Sequence, residues 1–139
     1  MNDLRQKVLG AWSLASLRRF RDGAFYRHPM GEGATGRLIY DDSGLMCAFL
    51  MSPEWVAGTA KQEWSTFLSY SGRWDVEGAT VSHRLDACSI SDLIGRTLER
   101  YIRFTPEGDL VLTTDGHVTA DGSKSHDELI WKRAGGGRP

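Results

Sequence analysis

Apolar and polar residues alternate along WSLASLRRF, residues 12–20, and the same two-residue period returns through most of the chain that follows. Alternation sends one set of side chains to a buried face and the other to water, so each such stretch predicts a half-buried strand. The first strand runs into Arg21-Asp22-Gly23, whose turn chemistry predicts a hairpin continuing at Phe25 and Tyr26. A glycine-rich loop then leads to a strand at 37–40, a turn at Asp41-Asp42-Ser43-Gly44 and an apolar strand at 45–51. Further strands are expected at 70–76, 80–86, 96–104, 109–113 and 128–133, separated by turns such as Glu77-Gly78 and Pro106-Glu107-Gly108. Two stretches break the alternation. Leu4, Val8 and Leu9 recur at near-helical spacing and predict a short helical turn ahead of the first strand. Between residues 52 and 68, Trp64, Phe67 and Leu68 share a helical face and Thr59 with Gln62 has capping-box spacing. A short helix is therefore expected after the third strand, with Ser52-Pro53-Glu54 able to start an earlier turn.

About eight strands without βαβ alternation predict an all-β, antiparallel up-and-down barrel. Strand parity, anchored on Trp12 pointing inward, then assigns the wall. Leu14, Ser16 and Arg18 follow Trp12 inward. Met46, Ala48 and Leu50 join them, with Tyr70, Gly72 and Trp74, then Val81, His83 and Leu85. Leu98, Arg100 and Ile102, with Leu110 and Leu112, complete it.

The length of 139 residues suits a single domain, expected over 1–134 with a frayed tail, AGGGRP, whose last residues 135–139 offer no apolar anchor. Seventeen Lys plus Arg against eighteen Asp plus Glu leave a net charge of −1, which argues against a nucleic-acid partner. No apolar run approaches the roughly 18 residues of a membrane span. MNDLRQKVLG lacks the apolar stretch of a signal peptide, and Cys47 and Cys88 are too few for a disulfide framework. A cytoplasmic protein with two reduced, core-like thiols is expected.

Three motifs lose their chemistry on inspection. Gly31-Glu32-Gly33-Ala34-Thr35-Gly36 spells GxGxxG, but its glycines run into a strand, whereas a dinucleotide needs a helix to open there. Ser125-His126-Asp127 has the residue types of a catalytic triad, yet neighbours on a strand point to opposite faces. His28, His83, His117 and His126 have no HxH or HExxH spacing, so neither a metal nor another cofactor is expected.

Gly10-Ala11-Trp12 on the first strand and Trp131-Lys132-Arg133 on the last resemble the lipocalin-like, or calycin, barrels. The chain is most similar to the small bacterial lipocalin-like domain family. The shared stretches are LGAWSLASL, GRLIYDDSGLMCAFLMSP, YSGRWDVEGATVSHRL, GRTLERYIRF, GDLVLTT and ELIWKRA, in that order. The loop from Cys88 to Leu93 departs from it, lacking the Pro and Trp associated with the family there. The resemblance implies a fold and a cavity but no reaction. It also implies that Trp12 plugs the barrel floor and Arg133 packs over its ring, a structural closure rather than a site. His83 in V-x-H and Arg100 after G-x-x-x-x match polar positions of the family.

His83 and Arg100 do not belong in a dry core. They share inward parity on neighbouring strands, and a buried guanidinium needs a carboxylate, water or a ligand oxygen. They are the tentative catalytic pair, with Tyr40, Met46, Ala48, Leu50, Tyr70, Trp74, Leu98 and Trp131 as ligand-binding candidates. The resulting reading is a barrel that binds a small, mostly apolar molecule with a carbonyl or carboxylate end. Its catalytic form is a cofactor-free isomerase, cyclase or lyase in which His83 exchanges protons near neutral pH. The alternatives are a non-catalytic carrier or sensor, and a structural subunit with a filled barrel. A register slip of one residue instead gives His83 a backbone partner and pairs Arg100 with Glu99 or Asp86 at the surface. Arg18, Arg19, Arg21 and Lys7 read as a solvated basic edge, and apolar area near Trp55 and Trp64 suggests a homodimer.

Overall fold

The computed structural model describes residues 3–114 and 116–134. Helix α1 (Asp3–Val8) precedes strands β1 (Gly10–Arg21), β2 (Ala24–Arg27), β3 (Thr35–Tyr40) and β4 (Leu45–Met51). A short helix α2 (Pro53–Val56) separates these from β5 (Phe67–Glu77), β6 (Thr80–Cys88), β7 (Thr97–Phe104), β8 (Leu110–Thr114), β9 (His117–Val118) and β10 (Lys124–Arg133). All the pairings are antiparallel, in the order β1-β3-β4-β5-β6-β7-β8-β10, and β10 returns to β1 to close the ring. The expected eight-stranded up-and-down barrel is therefore the fold, with β2 and β9 added as short strands on β1 and β10. Among the described residues no helix is long and apolar enough to cross a membrane. The tail residues 135–139 lie outside the described residues.

One end is sealed by residues that meet from both ends of the chain. Trp12 is 1% exposed, and its indole N–H donates to the Val8 carbonyl at 2.9 Å. Arg133, opposite Trp12 in the β1–β10 register, holds its guanidinium 4.0 Å from the Trp12 ring centroid. That guanidinium also donates to the carbonyls of Lys7, at 2.8 Å, and Leu9. One cation thus fixes α1, β1 and β10 together. Toward the other end, the loop before β3 buries Met30 and Ala34 in the main core cluster and rests on Pro53 of α2.

A short helix does follow the strand at 45–51, as expected, but it is the single turn of α2 and does not include Trp64, Phe67 or Leu68. Ser52 accepts from the Trp55 amide at 3.1 Å and Pro53 supplies a helix-ready first residue, so the turn starts there. Phe67 and Leu68 instead pair with Met51 and Leu50 as β5 begins, because continuing the sheet satisfies their backbone groups. Trp64 lies in the intervening turn, and Gln62 donates to the Phe67 carbonyl rather than capping a helix.

A second correction concerns β1. The register shifts between Leu14 and Ser16, a bulge that reverses the parity beyond it. Leu17, 6% exposed, now points inward opposite Leu129, while Ser16 faces Ile130 and Arg18 pairs with Glu128 at 3.7 Å on the outside. The thiols also differ from expectation. Cys47 is exposed on the outer face of β4, between buried Met46 and Ala48, and Cys88 is half-buried. The basic edge is neutralised locally, by Asp127 on Arg19 at 2.8 Å and Asp121 near Arg21 at 3.8 Å.

Closure brings strands too near for side chains at two glycines. A Cβ on Gly36 would fall 2.2 Å from the Phe49 carbonyl oxygen, and one on Gly72 would fall 1.8 Å from that of Arg84. In both cases the obstacle is backbone, which cannot rotate away. Gly72→Ala is expected to cost more than about 2 kcal/mol in urea unfolding, above the usual effect of one methyl group. A loss below about 0.5 kcal/mol would show that β5 and β6 part easily.

Candidate functional site

Parity on β5 and β6, and on β3 across the barrel, directs Tyr70, His83 and Tyr40 inward to a common point. His83 is 1% exposed. Its Nε2 lies 2.6 Å from the Tyr40 hydroxyl and its Nδ1 lies 3.0 Å from the Tyr70 hydroxyl. Both ring nitrogens are thus engaged by phenols, not by the backbone. Burial holds the His83 imidazole down from its ordinary 6.5 to about 3, and the nearby Arg100 charge pushes the same way. Burial also raises both phenols, Tyr40 well above its ordinary range. At neutral pH this is an uncharged chain of three polar groups.

Arg100 occupies the neighbouring strand, with Val81 opposite it and Leu98 opposite His83. It is half-buried, and one of its terminal nitrogens donates to the Glu99 backbone carbonyl at 3.0 Å. Among the described residues no carboxylate lies within ion-pair distance of it; neither Glu99 nor Asp86 supplies one. The guanidinium therefore adds an uncompensated positive charge beside the Tyr40–His83–Tyr70 chain.

These groups border an enclosed cavity of about 50 Å³. Tyr70, His83 and Arg100 supply its polar wall, and Leu38, Ala48, Phe49, Leu50, Leu68, Leu112, Leu129 and Trp131 the rest. The Trp131 indole nitrogen is buried with no hydrogen-bond partner, and the other such side-chain atoms among the described residues are Nε of Arg18 and Arg21, whose guanidiniums make ion pairs. Of the sequence candidates, Ala48, Leu50, Tyr70 and Trp131 line the cavity with His83 and Arg100. Tyr40, Met46, Trp74 and Leu98 do not. Tyr40 and Met46 are packed in the core, and Leu98 is half-buried opposite His83. Trp74 packs against Tyr40 with the two rings tilted, and its indole N–H donates to the Asp41 carbonyl at 2.8 Å, so it is not a free donor for a guest. Leu38, Leu68 and Leu129 were not among the candidates, yet each follows the alternation of Tyr40, Tyr70 or Trp131 by two residues. Extending that alternation finds them.

A larger concavity, about 440 Å³, lies outside the barrel along Ile39, Leu45, Cys47, Ser71 and Asp86. It gathers no set of buried polar groups, unlike the smaller, interior space.

Burial works against the expected role of His83 as a near-neutral acid and base. A group buried as the neutral form disfavours protonation of the folded state, while in the unfolded chain it takes a proton near pH 6.5. The folded state therefore loses stability as pH falls below about 6.5, and continues to lose it down to about 3. Between pH 7 and pH 5 His83 is expected to remove about 2 kcal/mol from the unfolding free energy. Urea titrations of the wild-type protein and His83→Gln at both pH values measure this share. Identical pH dependence in the two proteins would show that His83 is not held neutral.

The whole barrel matches the family model of a lipocalin-like domain, over residues 9–134. A search of curated proteins found no match. The matched span opens just before Gly10 and Trp12 and ends just after Arg133, so it takes in both halves of the floor closure and every residue of the cavity wall. The chain belongs to the lipocalin-like domain family.

Proposed function

We propose that the protein binds a small, mostly apolar molecule inside the barrel, with a carbonyl or carboxylate oxygen of that molecule held by Arg100 and Tyr70. The observation that carries this reading is a guanidinium at the wall of an apolar cavity with no carboxylate partner among the described residues. The unpartnered Trp131 indole supports it. A buried donor without an acceptor costs about 1–3 kcal/mol, and a cation more, so an oxygen-bearing guest relieves a cost already present in the fold. Apolar walls with a few convergent polar groups are the usual anatomy of small-molecule sites.

The volume limits the guest. About 50 Å³ exceeds the roughly 10–15 Å³ needed by one water but falls far short of the roughly 300–1,000 Å³ of drug-sized pockets. The guest has few heavy atoms, or the leucines of the wall move to admit more. Binding without chemistry, as in a carrier or sensor, is favoured over an isomerase, cyclase or lyase. Burial makes His83 a weak base and both of its nitrogens are engaged by phenols, which disfavours the proton transfer that such a reaction requires.

Pentanoate, 2-pentanone and pentane share a chain length and differ at one end, which makes them suitable probes in NMR titrations that follow the Trp131 indole resonance. The first two are expected to bind at least about tenfold more tightly than pentane. Arg100→Met should weaken pentanoate about 10- to 100-fold and leave pentane within about twofold. Absence of binding by all three points to a filled, structural barrel, and equal affinities would remove the polar end of the reading.

A further inference from the structure

The hydrogen bonds around His83 have a direction, and burial decides it. A neutral imidazole carries one N–H and one bare nitrogen, so one tyrosine donates to the ring and the other accepts from it. If Tyr70 donated to Nδ1, Nε2–H would donate to Tyr40, and the Tyr40 O–H would need an acceptor elsewhere. Tyr40 is 1% exposed, does not border the cavity, and among the described residues its hydroxyl has no hydrogen-bond partner besides His83. That O–H would be stranded. In the opposite direction Tyr40 donates to Nε2, Nδ1–H donates to Tyr70, and the hydrogen left over is that of Tyr70. Tyr70 borders the cavity, where water or a guest can accept it.

We infer that Tyr40 is a positioning residue for the cavity: by donating to Nε2 it fixes His83 as the Nδ1–H tautomer, and Tyr70 thereby presents its O–H to the guest. The imidazole is neutral at pH 7, which keeps the chain from reversing through a doubly protonated ring. The cavity wall then offers hydrogen-bond donors at Tyr70 and Arg100, while the lone pairs that would accept are turned toward the ring. Such a wall takes a guest whose polar end accepts, a ketone or carboxylate, and rejects an ammonium. The selectivity rests on the binding reading above; the tautomer does not.

Long-range proton–nitrogen correlation spectra of the ¹⁵N-labelled wild-type protein at pH 7 read the tautomer directly. Nδ1 is expected to be protonated and Nε2 bare. Tyr40→Phe removes the donor to Nε2, so both tautomers should become populated, Tyr70 should partly turn back to the ring, and the preference for pentanoate over pentylamine should narrow about tenfold. A protonated Nε2 in the wild-type protein overturns the inference, as does a folded Tyr40→Phe protein that keeps a single Nδ1–H tautomer. If neither probe binds, the binding reading fails while the wild-type spectrum still decides the tautomer.

Discussion

A sheet closed on itself has no edge to expose, so any polar group turned inward has to be satisfied by what the barrel encloses. This constraint organises the molecule. The floor obeys it with carbonyls: Trp12 donates to Val8, and Arg133 bonds Lys7 and Leu9 while covering the Trp12 ring. The middle layer obeys it with side chains, through the two phenols on His83. Along the cavity it is only partly obeyed, for Arg100 has one backbone acceptor and Trp131 none. The polar groups of the floor and of the His83 layer thus have partners, and those left short of partners border the cavity.

The same contrast separates the packed layer from the cavity wall. Tyr40 serves the packed layer, where burial raises its hydroxyl far above its ordinary range. Tyr70, bonded to the other face of the same imidazole, serves the cavity. Connecting them through a neutral ring links a residue that does not border the cavity to one that does. A charged ring in the same position would face the Arg100 guanidinium across an apolar interior, a like-charge contact that burial makes expensive.

Much of this was legible in the alternation of the chain. Parity carried from Trp12 places Met46, Ala48, Leu50, Val81, His83 and Leu85 on the inside, where they are buried, and it sets Arg100 beside His83. What was not legible depends on distances across the barrel. No spacing tells that the Trp74 indole is already bonded to the Asp41 carbonyl, or that Tyr40 and Tyr70 reach opposite sides of one ring. The short helix after residue 51 stops at Val56 for a related reason: Phe67 and Leu68 have helical spacing with Trp64, but a neighbouring strand edge offers their backbone partners that spacing cannot reveal.

The bulge in β1 carries a consequence of its own. Because side chains alternate with a period of two, one extra residue acts as a half-turn of phase for everything after it. Here the phase change brings Leu17 in and sends Arg18 to Glu128 outside. Trimming Ala15 would leave a regular ladder with Ser16 still opposite Ile130 and Arg18 still opposite Glu128, because the bulge takes up the one extra residue. Straightening the strand at unchanged length would instead turn Leu17 out and Arg18 in, so the chemistry of the interior is set by the backbone conformation at Ala15 as well as by the identity of the residues around it.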